Sequence, residues 1–218
     1  TMNTTTTTTP SAAAVQQKFW DGVRDRKREK VEKLLNDTTT RPLIDVDKPQ
    51  SMGMTPLIVS CEKGDEAMAE LLLEARADPN KKSKETGQTP LGVATQSLTN
   101  DVEMVRLLIK YGATKLNKAD RIKHTTALTS AAGKGLFKVV NMLLSAGVKP
   151  DEEEEEELDE EEDQERSTTT PLCEAIRGGH VEVVKMLIRA KADVNRAAKL
   201  DGWSPLLNAV VVNNDPKG

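Results

Sequence analysis

Aromatic side chains are nearly absent: two Trp, one Tyr and two Phe make up 2% of the 218 residues. A core must therefore be built from Leu, Val, Ile, Ala and Met, which suits small, closely packed helices and fits poorly with a sandwich or barrel. Cysteine is equally scarce. Cys61 and Cys173 stand in no metal-ligand spacing; two cysteines in a chain this long are no disulfide framework, so a reducing, intracellular setting, cytoplasmic or nuclear, is the expectation. Apolar runs extend for only a few residues, far short of the roughly 20 that span a bilayer, so no membrane contact is expected. The opening TMNTTTTTTP has neither a positive n-region nor an apolar h-region, and no secretory signal is read there.

Negative charge, by contrast, is concentrated. Thirteen of the fifteen residues from Asp151 to Glu165 are acidic and none is basic. The whole chain holds 35 acids and 31 bases, so without that run the remainder has 22 acids against 31 bases, a charge of +9. A basic body carrying one acidic insert points toward an anionic partner. As a metal site the run is poor, because calcium needs carboxylates wrapped around a tight glycine turn, whereas consecutive Glu residues offer only a diffuse ion atmosphere. A solvated, disordered insert is expected over 151–169, with no metal and no cofactor.

The chain repeats itself. Thr55-Pro56-Leu57 recurs as Thr89-Pro90-Leu91, Thr126-Ala127-Leu128, Thr170-Pro171-Leu172 and Ser204-Pro205-Leu206, at spacings of 34, 37, 44 and 34 residues. A hydroxyl residue before Pro makes a helix start: the side chain caps free N–H groups, and Pro lacks a donor that the first helical position does not use. Each start leads through small residues to a second apolar segment, MAELLLEARADPN (68–80), VEMVRLLIKYGA (102–113), FKVVNMLLSAG (137–147) and VEVVKMLIRAKADVN (181–195). Apolar residues there fall at i, i+3, i+4 and i+7, one buried stripe of a short helix. Neither short helix buries its stripe alone, so the copies must stack.

These features resemble the ankyrin repeat family. The clearest copy is TPLCEAIRGGHVEVVKMLIRAKADVN (170–195), with the TPL start, the Gly-His turn, the VV..LI helix and the ADVN exit. The resemblance covers 55–212 in four full copies and a fifth partial one. It implies an all-α fold, a right-handed solenoid of stacked helix-turn-helix units with protruding loop fingers. The expected organisation is a low-complexity Thr-rich tail over 1–12 and an array over 13–218. A divergent first repeat spans 13–50, where KFWDGVRDRKREKVEKLL precedes DVD; others start near 51, 85, 121 and 166, with a truncated one near 200. The acidic stretch amounts to about eleven residues beyond a 33-residue period, placed in a finger loop and interrupting no helix. Because the fifth copy halts at SPLLNAVVVNNDPKG, with Leu207, Val210, Val211 and Val212 uncovered, the expectation is a fragment or a last helix supplied from elsewhere.

The copies also depart from the family. Its members commonly carry His directly after TPL, where this chain has Ile58, Gly92, Thr129 and Cys173. The hydrogen bonds such a His lends to the loops are therefore in question. Extra residues in QSLTND (96–101) and the exit GATKLN predict a local distortion of the second full copy or an adaptation for binding there.

No residues invite catalysis, which needs a nucleophile or an acid–base group held beside partners in a cleft. His180 falls in the turn where the family commonly has His, a structural place, and His124 stands in a loop beside Lys123 and near Arg121 without an acid or nucleophile. Gly133-Lys134-Gly135 lacks the lead and the following hydroxyl of a P-loop and reads as a helix–helix turn. Cys61 and Cys173 lie three repeats apart, about 30 Å at roughly 10 Å per packed helix, too far to bridge.

The resemblance implies partner contacts through residues before TPL and at the ends of the first helices. Carried over position by position, the candidate binding residues are Met52, Met54, Gln88, Lys123 and Trp203 on the fingers and Lys63, Gln96, Lys134 and Arg177 at the helix ends. Trp203 is the expected anchor, since Trp is enriched at binding hot spots, and the two Met side chains would give adaptable apolar contacts. Finger segments 81–88, 113–125 and 195–203 carry a summed charge of +6, which suits an acidic protein partner. Nucleic acid is disfavoured, because no aromatic residues interleave with the bases. The reading is a non-catalytic interaction scaffold or adaptor, with the acidic insert competing for the basic fingers. The alternatives are an acidic-tract chaperone for basic proteins such as histones, and the targeting module of a larger enzyme continuing past Gly218.

Overall fold

The computed structural model describes residues 11–96, 102–113, 125–152, 169–199 and 201–214, and every regular element among them is helical. The helices are α1 (Ala12–Arg24), α2 (Arg28–Asn36), α3 (Pro56–Glu62), α4 (Glu66–Glu74), α5 (Pro90–Gln96), α6 (Val102–Lys110), α7 (Ala127–Gly133), α8 (Phe137–Ser145), α9 (Pro171–Arg177), α10 (Val181–Arg189) and α11 (Pro205–Asn214). Odd-numbered helices stack on one another in chain order and even-numbered helices do the same, giving two layers. The fold is the all-α array of helix pairs that the repeats predict.

The helix starts follow from the recurring triplet. The Oγ atoms of Thr55, Thr89, Thr126, Thr170 and Ser204 each accept from the amide three residues on, at 3.3, 3.1, 3.1, 3.1 and 3.3 Å. Such a cap is worth about 1 kcal/mol. The triplet's Leu then turns inward: Leu57, Leu91, Leu128 and Leu172 are at most 2% exposed. Leu72, Leu108, Leu143 and Leu187 meet them from the second helices, all fully buried. One continuous core runs from Val15 to Ala192.

The first helix pair joins that core through α1, where Phe19 and Val15 are buried. Trp20, 4% exposed, donates its indole N–H to the Lys48 carbonyl at 3.1 Å. Gln16 exchanges two bonds with the backbone of Asp45, at 3.0 and 2.9 Å. Its interhelical turn passes through Arg26 at φ 56, in the left-handed region that Gly64, Gly135 and Gly179 occupy in later copies.

The last helix breaks the pattern. α11 runs ten residues where α3, α5, α7 and α9 run seven. Leu206 is 72% exposed, and Leu207, Val210 and Val211 are exposed beside it. Ile188 on α10 is exposed as well, whereas its counterpart Leu73 in α4 is buried. An apolar face thus closes this end of the array.

Among the described residues, the fingers are short turns. Ser83 donates to the Gln88 carbonyl at 2.9 Å, Ala198 to the Trp203 carbonyl at 3.0 Å, and Gln50 to the Met54 carbonyl at 3.0 Å. Their bases are pinned to the preceding exit: the Asp47 carboxylate accepts from the Asp78 amide at 3.1 Å, and Asp151 accepts from the Asp193 amide at 2.7 Å. Most of the acidic run, 153–168, and the expected distortion over 97–101 lie outside the described residues.

Candidate interaction surface

Two of the candidate residues at the helix ends, Lys63 and Lys134, share one geometry. Lys63 Nζ donates to the carbonyl of Arg24, the last residue of α1, and the Arg26 guanidinium donates back to the Lys63 carbonyl. Lys134 Nζ reaches the carbonyls of Thr95, at 3.2 Å, and of Gln96, the last residue of α5. His180 Nε2 lies 3.0 Å from the carbonyl of Gly133, the last residue of α7. A helix C-terminus offers unsatisfied carbonyls and partial negative charge, so a donor from the next repeat binds both. The ammonium groups of Lys63 and Lys134, expected to face a partner, cap the neighbouring repeat.

His180 explains the glycines around it. A Cβ on Gly135 would lie 2.5 Å from its Nδ1, and one on Gly178 would lie 2.5 Å from its Cδ2. The Gly-Lys-Gly turn is thus a seat for an imidazole ring of the next copy.

Arg177 is spent in a network of its own. Nε donates to Asn208 Oδ1 at 2.9 Å, and one terminal nitrogen binds Glu174 Oε1 at 2.8 Å and Thr169 Oγ1 at 3.4 Å. The other binds Asp201. The guanidinium ties α9 to α11 and to the finger that precedes α11, and Asn208 is 1% exposed beneath it.

The finger candidates diverge. Gln88 and Gln96 meet each other, Nε2 to Oε1, at 3.3 Å, which joins a finger to a first helix. Met54 is half-buried and packs on the core, whereas Met52 is 57% exposed. Trp203 is half-buried, and its carbonyl accepts from Ala198 and from the Cys173 thiol, 3.7 Å away. That thiol contact restores a helix-to-finger bond at a position where the family's usual His is missing. Lys123 lies outside the described residues. Cys61 and Cys173 are both buried and neither is in a disulfide.

Sequence reasoning passed over Ser83, whose hydroxyl donates to the Met52 carbonyl at 2.7 Å and joins two fingers. It also passed over Asn208 as the partner of Arg177. Burial pushes the Asp47 carboxyl above its ordinary value, although the Asp78 amide and Lys81 pull the other way.

On the second-helix side, a groove of about 350 Å³ runs between α4 and α6, lined by Glu66, Glu70, Glu103, Arg106, Leu107 and Lys110 among others. Its charges are of both signs, and Arg106 pairs with Glu103 at 3.2 Å. Among the described residues, no His, Cys, Asp and Glu side chains gather as a metal site, and no helix is long and apolar enough to cross a membrane.

Comparison with known proteins agrees with this architecture. A family model described as ankyrin repeats (3 copies) matches residues 22–120 and 77–154, together more than half the chain, and one described as ankyrin repeat matches 169–199. A B-cell lymphoma 3 protein homolog of Mus musculus is 33% identical over 113 residues, 52% of this chain. The match spans 24% of that relative's own length.

Proposed function

Because this chain belongs to the ankyrin repeat family, whose repeats are generally protein–protein interaction modules, we propose that it is a non-catalytic scaffold or adaptor. It holds a protein partner on the concave face made by the fingers and first helices. The observation that carries this reading is the bonding of that face to itself. Gln88 to Gln96, Ser83 to Met52, and the Arg177 network tie fingers to helices and finger to finger. A surface fixed in this way pays little ordering entropy when a partner arrives, and preorganisation of that kind is what raises affinity. Met52, Trp203 and Lys123 are the side chains assigned to the partner directly. Lys63, Lys134 and Arg177 hold the surface in shape.

The partner is an acidic protein segment, matched to the basic fingers. Immobilised full-length chain, a Met52→Asn/Trp203→Ala variant and a variant lacking 153–165 are each used to capture partners from cells, with mass spectrometry as the readout. The scaffold reading expects a partner that the finger variant loses and the deletion keeps or captures more strongly. Loss on deletion alone, with basic proteins among those lost, would instead make the acidic tract the binding element.

A further inference from the structure

We propose that the finger tip at Met52 is a docking point for an acidic segment of a partner protein that carries one large apolar side chain. The proposal rests on the scaffold reading and names the chemistry that one part of the surface recognises.

Met52 is held in the left-handed region, at φ 61 and ψ 21, where side chains other than Gly and Asn are disfavoured. Its neighbour Gly53, at φ 65, is left-handed too, and a Cβ there would come within 2.8 Å of the Lys84 amide. The conformation is fixed from both sides: Ser83 Oγ donates to the Met52 carbonyl at 2.7 Å, and the Gly53 amide donates to the Gln50 carbonyl at 2.9 Å. The turn would be easier with Gly or Asn at position 52, yet it carries a large thioether that is 57% exposed. Met54, two residues on, takes the core position, so packing does not require the Met52 side chain. A strained backbone that presents an apolar side chain to water is the kind of outlier that marks a working site.

The surroundings define the ligand. Lys48 on the same finger and Lys84 on the adjoining one are exposed, and neither is in an ion pair among the described residues. Lys81 shares its field with Asp47, and the exposed acids on the two fingers are Asp45 and Glu85. Lysines alone would accept any polyanion. An unbranched, polarizable side chain among them selects a ligand whose acids flank one apolar residue that covers the thioether.

The test uses the full chain and two labelled twelve-residue peptides of Glu and Asp, one with a central Leu and one with Gly in its place. Fluorescence anisotropy at fixed salt should show the Leu peptide binding about tenfold tighter, the scale of burying one aliphatic side chain. Met52→Asn keeps the left-handed turn, so it should abolish that ratio with no loss in melting temperature. Lys48→Glu/Lys84→Glu should weaken both peptides together and flatten the salt dependence. Equal affinity of the parent chain for the two peptides, or a tenfold ratio that survives Met52→Asn, would overturn the proposal. So would concentration-dependent self-association that Met52→Asn removes, because the site would then belong to the acidic run around Leu158 of a second copy. If neither peptide binds while the finger variant still loses its cellular partner, this inference fails and the scaffold reading stands.

Discussion

Replacing Arg177 with Met removes four side-chain bonds at once, and the cost can be worked from their surroundings. The heaviest loss is at Asn208. Its Oδ1 accepts from Arg177 Nε at 2.9 Å in a residue only 1% exposed, while its Nδ2 is already committed to the Ser204 carbonyl at 3.2 Å. A buried acceptor left without a donor costs about 1–3 kcal/mol. The pairs to Glu174 and Asp201, with side chains 26–30% exposed, add at most about 1 kcal/mol together. A total of about 2–3 kcal/mol is expected. In a stacked array, stability is a sum of local and neighbour terms, and α11 rests chiefly on α9. The loss should therefore concentrate at that end. Native-state hydrogen exchange should show the protection of α11 amides falling about 30-fold or more, with α3 to α6 little changed. The Arg177→Met/Asn208→Leu double variant should recover most of the loss, since removing both polar partners leaves no orphan. Unchanged α11 protection in Arg177→Met, or a double variant as unstable as the sum of the single ones, would refute the reasoning.

Two further outcomes follow from the same geometry. Gly178→Ala places a methyl carbon 2.5 Å from the His180 ring and 2.9 Å from the Gly133 carbonyl, so urea unfolding should show a loss of about 1–3 kcal/mol. Adding His180→Ala should relieve only part of it, because the carbonyl stays in place. At Asp47, burial raises the native pKa above the unfolded one, so the native state binds more protons and stability falls as pH rises past the ordinary carboxylate value. Asp47→Asn keeps an acceptor for the Asp78 amide and should remove that fall, which a melting-temperature series across acidic to neutral pH would reveal; a fall of the same size in the variant would contradict it.

The repeat was legible because its signals are local. A hydroxyl three residues from the amide that it caps, and apolar side chains one turn apart, are set by short-range geometry, and all five caps formed as the triplets predict. What stayed hidden depends on the distance between copies. Lys63 and Lys134 read from the chain as free cations on a binding face, but their acceptors lie 39 and 38 residues earlier, on carbonyls that sequence cannot mark. The same holds for Arg177 and Asn208, 31 residues apart. Met52 and Met54 read alike because both stand in one finger. The left-handed turn at Met52, with Gly53 pressed against Lys84, sends one outward and leaves the other on the core. Trp20 is legible in the chain itself, since a Trp beside Phe19 in an apolar stripe is a core signature.

The donors that reach back to the previous helix end bear on how such an array can be rebuilt. Repeats of this kind invite treatment as interchangeable bricks. Here the joints are keyed: α1 takes its end cap from Lys63, α5 from Lys134 and α7 from His180, each supplied by the following unit. Deleting or replacing the α7–α8 unit, which supplies Lys134 to α5 and receives His180 from the next unit, would sever one such key on each side. A transplanted unit would fit only if its own turn brings a donor of the right length, and, where that donor is an imidazole, only if the unit before it has kept its glycines.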